Sequence, residues 1–286
     1  MTGFALGIAS ALCWSALDAV RKMLVTKASP TSLVVFLLVG QVPFLGLWAL
    51  WDGTWIRESA YWPFALASMG MNALANVLFM RSVQLSPLSR TVPFLSLTPV
   101  FSALAAIPLL GEVPGPMHGA GIALVVLGAL LLNSDLSDSW WRSLSFEKGG
   151  PYMIAVAALW AFSTALDKRA LPHASPASHA FVLTVGGAVI LVSWILARRT
   201  EGDLGAVFRA PKGLLVSMLA FAAAAVALQL MALQTLWVAV LETLKRAIGV
   251  LGSVILGRAI FLEAITPRKL VAGLLMIAGT SLLAFA

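Results

Sequence analysis

Residues 111–133 read GEVPGPMHGAGIALVVLGALLLN, and residues 262–286 read LEAITPRKLVAGLLMIAGTSLLAFA. In the first, Glu112 is followed by Pro116 four residues on and by Gly128 sixteen on; in the second, Glu263 is followed by Pro267 and Gly279 at the same intervals. Neither stretch has a charged residue from Met117 to Asn133 or from Leu270 to Ala286. Such a run suits a helix crossing the ~30 Å hydrocarbon layer of a bilayer. Proline fits its first position, where the missing N–H would have had no partner. A second match lies upstream: Trp14 precedes Lys22 by eight positions, and Trp160 precedes Lys168 by eight. The offset between copies is 146 there and 151 at the glutamates, so one pattern occurs twice with five residues gained in between.

Working outward, the whole chain has this character. Of 286 residues, 60% are hydrophobic and 11% charged, and the mean hydropathy is +0.95. A soluble domain carries about 25% charged residues, so a water-facing enzyme and a disordered chain are both excluded. Ten stretches are long and apolar enough to span: 3–22, 31–51, 62–80, 90–110, 116–132, 151–168, 177–197, 212–232, 235–260 and 267–286. The expected fold is an all-α integral membrane protein of ten transmembrane helices, built as two inverted five-helix repeats. The first repeat is 1–132, the connecting loop 133–150 and the second repeat 151–286. Five is odd, so the second copy enters the membrane from the opposite side, as in many secondary transporters. The N-terminal stretch lacks a basic n-region and carries Asp18, so it reads as the first span rather than a signal peptide.

Fourteen of the 19 basic residues follow odd-numbered spans, three (Arg57, Lys168, Arg169) follow even-numbered ones, and Lys245 and Arg246 lie inside the ninth. The positive-inside rule places the odd loops in the cytoplasm and both termini outside, in a plasma (inner) membrane of bacterial type. The single cysteine, Cys13, excludes an intrachain disulfide, and the three histidines have no ligand spacing. No metal or other cofactor is expected, and no nucleic acid. The expected partners are a small-molecule substrate and membrane lipid.

The Trp-x7-Lys spacing, the stretch Leu97-Thr98-Pro99-Val100-Phe101 and the pair Gly111-Glu112 resemble the EamA-type repeat of the drug/metabolite transporter superfamily. The resemblance covers essentially the whole chain and implies ten spans in two copies and transport of small organic solutes. The second copy departs from the pattern at Val250, where the first has Pro99, and at Leu262 before Glu263. Without that proline the ninth helix is less easily kinked.

Charged side chains within spans are functional candidates by default. The ninth span holds Glu242, Lys245 and Arg246, 7 to 11 residues in, or roughly 10–17 Å deep at helical rise. Two readings stand: a Glu242–Arg246 pair at i,i+4 with Lys245 snorkelling, or an anion site in which one positive charge is left over. Leu244-Lys245-Arg246 resembles the Leu-Lys-Arg of plastid phosphate translocators, a branch of the same superfamily, which implies that Lys245 and Arg246 bind an anionic group. That branch also has a fourth-span lysine and a glutamate where this chain has Leu95 and Thr98, so a phosphate diester or a carboxylate is as good a candidate as a phosphate monoester.

Ser10, Trp14, Asp18 and Lys22 recur every four residues in the first span. Asp18 reads either as a coupling acid or as one half of a static pair with Lys22 or a neighbouring helix. Ser68, Asn72 and Asn76 form a stripe in the third span, with Gln229 in the eighth. These amides either bond another helix or, with Trp14 and Trp160, line a substrate site between the first, third, fourth, sixth, eighth and ninth spans. Pro93 and Pro99 free backbone carbonyls, as a gate or as a static kink. Gly121 and Gly128, like Ala272 and Gly279, are seven apart; these small residues make a close-packing seam for scaffold or homodimer contact through the fifth and tenth spans.

The chain has no HExxH, GxSxG or Walker sequence, so neither an enzyme nor a nucleotide-driven pump is expected. The reading is a secondary active transporter moving a small organic anion or an amino-acid-like zwitterion by alternating access. The transport alternative is an exporter of cationic drugs or metabolites coupled to protons through Asp18 or Glu242. The alternatives outside active transport are a membrane-embedded enzyme and a passive channel.

Overall fold

The computed structural model describes residues 2–24, 28–56, 58–86, 91–133, 148–198, 204–261 and 266–285. Leu262, Glu263, most of the 133–150 connection and the basic residues Lys27, Arg57, Arg90, Arg142 and Arg199 lie outside the described residues. All regular structure among the described residues is helical. The first half contributes α1 (Thr2–Leu24), α2 (Pro30–Asp52), α3 (Tyr61–Leu85), α4 (Thr98–Leu110) and α5 (Pro116–Asn133). The second contributes α6 (Gly150–Ala170), α7 (Pro176–Arg198), a single turn α8 (Leu204–Phe208), α9 (Lys212–Leu233), α10 (Val238–Phe261) and α11 (Pro267–Phe285).

Local chemistry sets the helix ends. Ser29 caps α2, its Oγ accepting from Ser32 N at 3.2 Å, and Pro30 opens the helix. Proline likewise opens α5, α7 and α11. Among the described residues, six helices are long and apolar enough by themselves to cross a membrane. The two that carry most of the internal charge, α6 and α10, are not among those six.

The fourth span departs from the continuous helix expected over 90–110. It begins as a 3-10 segment, Val92–Leu97, and only then becomes α4. Pro93 falls in the first turn of that segment and Pro99 in the first turn of α4. Both prolines therefore sit where an absent N–H costs little, rather than breaking a helix already under way. Thr98 Oγ1 donates to Leu95 O at 2.6 Å across the junction. At the equivalent place in the second repeat, α10 runs unbroken through Val250.

The chain forms two compact units, each drawing on both repeats. One is Met1–Ala73 with Leu166–Thr235; the other is Leu74–Ala165 with Leu236–Ala286. In the first unit α1 lies along α9, and α2 packs on α7 and α9. Leu17, Leu24, Leu33, Leu37, Val207 and Met218 fill the core between them. In the second, α5 packs on α11 and α10 on α4.

The pairing of α5 with α11 is self-complementary. A Cβ placed on Gly121 would lie 2.8 Å from Gly279 O, and one on Gly279 would lie 2.7 Å from Gly121 O. A Cβ on Gly128 would lie 2.8 Å from Ala272 O. The repeat offset of 151 carries Gly121 to Ala272 and Gly128 to Gly279. The Gly121–Gly279 contact therefore recurs as Ala272–Gly128, which is the mark of a local two-fold. Of the two uses read for the small-residue seam, scaffold or homodimer contact, the structure shows a packing seam within the chain. Its two faces already close on each other within the chain, because only backbones this bare allow so near an approach.

Candidate functional site

The ionisable group singled out in the ninth span lies on α10. This helix begins at Val238, so its charges stand about 6–12 Å from its first residue, shallower than a count from residue 235 gives. Glu242 and Lys245 meet at 2.7 Å, with their side chains 3% and 17% exposed. Glu242 thus contacts Lys245 at i+3. Arg246 also extends an Nη2 toward Thr98 Oγ1, at 3.5 Å, on the turn that Pro99 opens. Thr164 Oγ1 stands 3.3 Å from Glu242 Oε1 and 2.9 Å from Trp160 O. One hydroxyl proton cannot serve both, so the shorter bond, back to its own helix, takes precedence. One carboxylate thus faces two cations within two turns of a largely buried helix. These cations oppose the partial positive charge of the helix N-terminus.

The start of α10 explains the Gly-Glu pair. Gly111 ends α4 in the left-handed region at φ 71°, donating to Ile107 O at 3.0 Å. A side chain would be strained there. The turn directs Glu112 inward, where its Oε2 accepts the Val238 N–H at 2.9 Å. A residue of the first repeat thereby caps a helix of the second. Glu112→Ala is expected to lower stability by about 1–2 kcal/mol, the usual cost of a lost N-cap. Glu112→Gln, which keeps an acceptor, should lose less; thermal melting in detergent measures both.

The tryptophans and amides are placed as follows. Trp14 Nε1 donates to Gln229 Oε1 at 3.0 Å, joining α1 to α9 beside the Ser10 Oγ bond to Ala225 O at 2.9 Å. Trp160 is half-buried and lies tilted on Phe79, with ring centroids 6.0 Å apart. The two pairs are repeat mates: 146 residues separate Trp14 from Trp160, and 150 separate Phe79 from Gln229. Asn72 donates to Ser68 O on its own helix at 3.2 Å, and Asn76 is half-buried.

Asp18 is not a buried acid. Its side chain is 68% exposed and contacts Arg21 at 3.3 Å. The four-residue stripe drifts by about 40° at each step, which carries position 18 away from buried Ser10.

The sequence reading missed a second buried polar cluster, in the first unit. Tyr61 Oη lies 2.8 Å from His179 Nδ1. His179 Nε2 lies 3.3 Å from Asp167 Oδ1, at an angle that falls short of a hydrogen bond. Ser68 Oγ donates to the same carboxylate oxygen. The side chains of His179 and Asp167 are 0% and 7% exposed. The rule that picks out α10 applies equally to these residues, but each stands alone in its own span.

Comparison with known proteins accords with this architecture. The model of the EamA-like transporter family matches twice, over residues 1–134 and 148–285. A solved crystal structure shares the fold at a TM-score of 0.78 and 18% identity, covering 99% of this chain and 96% of its own. No curated protein sequence matches significantly. With six helices among the described residues long and apolar enough to cross a membrane and the family model matched in both halves, the chain is an integral membrane protein that belongs to the EamA-like transporter family.

Proposed function

We propose that this transporter is a secondary carrier that moves a small organic anion, or a zwitterion presenting an anionic end, by alternating access. The observation that carries the reading is the cluster of two cations and one carboxylate within two turns of α10, with Glu242 in contact with Lys245 at 2.7 Å. The formal balance of these three side chains is +1, and a cationic excess inside a span is a candidate site for an anionic group. The inverted repeat supports alternating access, since two equivalent halves can exchange conformations. The lysine and arginine distribution supports cytoplasmic odd-numbered loops and both termini outside, in a plasma-type membrane.

The test is thermal stabilisation of the detergent-purified protein by inorganic phosphate, succinate, alanine and tetraphenylphosphonium. A ligand that binds only the folded form raises the melting temperature by mass action. Phosphate, succinate or alanine should stabilise. Stabilisation by the cation alone would overturn the reading and return the acids to the role of binding residues in a cation exporter.

A further inference from the structure

The Tyr61–His179–Asp167 cluster has no part in the anion reading, and it joins three helices at one end of the first unit. We propose that it is a proton-binding site through which the carrier is coupled to a pH gradient; the coupling rests on the transporter reading above.

Position is the first argument. Tyr61 opens α3, Asp167 stands three residues before the end of α6, and His179 stands three residues after the start of α7. At helical rise all three lie within about 5 Å of their helix ends. Ser178, beside His179, donates its hydroxyl to Thr54 O in the loop that follows α2. A proton therefore has a short path from the aqueous phase to a site otherwise closed by Ala65, Met69 and Ala170.

Chemistry is the second. With the imidazole neutral, the Asp167 carboxylate accepts from Ser68 Oγ, and His179 Nδ1 shares a hydrogen bond with Tyr61 Oη. One proton taken from water onto the ring makes both nitrogens donors: Nε2–H to Asp167 and Nδ1–H to the Tyr61 oxygen. The charge of the cluster goes from −1 to zero, and releasing the proton to water reverses the step. A buried carboxylate is costly alone and tolerable when paired. Tyr61 and Ser68 are hydroxyls, each donor and acceptor, so both can follow the change, while Nε2, which has no hydrogen-bond partner in the structure, gains one in Asp167 when the ring is protonated.

The surrounding charges leave this exchange to the cluster. On α6 the neighbours are Lys168 and Arg169, the latter 5.7 Å from the Phe64 ring centroid. His173 contacts Glu58. Of the helices packed on α7, α2 contributes Asp52, bonded to Thr54, and α9 contributes only Lys212, at the end away from His179.

Nuclear magnetic resonance of isotope-labelled histidine, in lipid nanodiscs and in a His118→Gln/His173→Gln background, isolates the His179 ring. The ring should change from one protonated nitrogen to two when the bulk solution is acidified. In Asp167→Asn it should stay neutral. A ring that never changes state, or changes identically with and without Asp167, overturns the proposal. Should Asp167→Asn fold poorly, Tyr61→Phe carries the test, because loss of its partner must shift the Nδ1 resonance; an unmoved resonance counts against the site.

In proteoliposomes, a pH difference of one unit should shift the steady-state distribution of whichever probe exchanges (phosphate, succinate or alanine) by about tenfold, the equivalent of one coupled proton. Asp167→Asn should abolish that shift and retain exchange. A gradient response that survives Asp167→Asn overturns the coupling. Absence of exchange in the unmodified protein would instead overturn the carrier reading, and the resonance test alone would then decide the proton site.

Discussion

Lys245→Gln is expected to abolish stabilisation by the anionic probe and to weaken its binding about 10- to 100-fold. Hydrogen bonds to charged groups contribute about 1.5–3 kcal/mol, which converts to that range. The same substitution leaves Glu242, 3% exposed, buried without its contact at i+3, and removing one partner of a buried pair costs roughly 3–5 kcal/mol. The variant should therefore also melt earlier, and lost binding must be separated from lost folding. The double variant Glu242→Gln/Lys245→Gln makes that separation. It removes both charges, should recover most of the melting temperature, and should still fail to bind the anion. Recovery of both would mean that Lys245 serves only to neutralise Glu242.

Gly121→Val carries a large stability effect within the second unit. Its Cβ would stand 2.8 Å from Gly279 O and 2.8 Å from Leu283 Cγ, and a backbone carbonyl cannot turn aside as a side chain does. Overpacking of this kind costs about 3 kcal/mol or more, enough to remove most folded protein from detergent extracts. Gly119→Ala, two residues away with nothing within 4 Å of the added carbon, should be neutral or slightly stabilising, since alanine favours helix. Size-exclusion profiles of the two variants side by side check the contrast. Equal behaviour would mean that the α5–α11 seam does not hold the unit together.

The helices were legible because hydrophobic length and proline punctuation are local signals, and both survive any tertiary arrangement. The seam was legible as a row of small residues, but its partner was not. Gly121 and Gly128 would look the same facing α11 as facing a second copy, and only the reciprocal contact with Gly279 and Ala272 decides. Within α10, positions 245 and 246 both neighbour Glu242 in the sequence; the approach of Arg246 to Thr98 involves a residue 148 positions away, which spacing within one span does not announce. Asp18 misled because a four-residue spacing slides around a helix of 3.6 residues per turn. The histidine cluster was illegible for a simpler reason. His179 meets Tyr61, 118 residues earlier in the chain, and no pattern within one span announces a partner so distant.

Counterflow in proteoliposomes tests the central claim most directly. Vesicles loaded with unlabelled succinate, phosphate or alanine are diluted into a trace of the same solute in labelled form. An alternating-access carrier for an anionic group accumulates label transiently above its equilibrium level, saturably, and loses this with Lys245→Gln. Uptake that rises linearly with concentration and is indifferent to the internal solute would contradict the account, because a pore needs neither the repeat nor the charged helix.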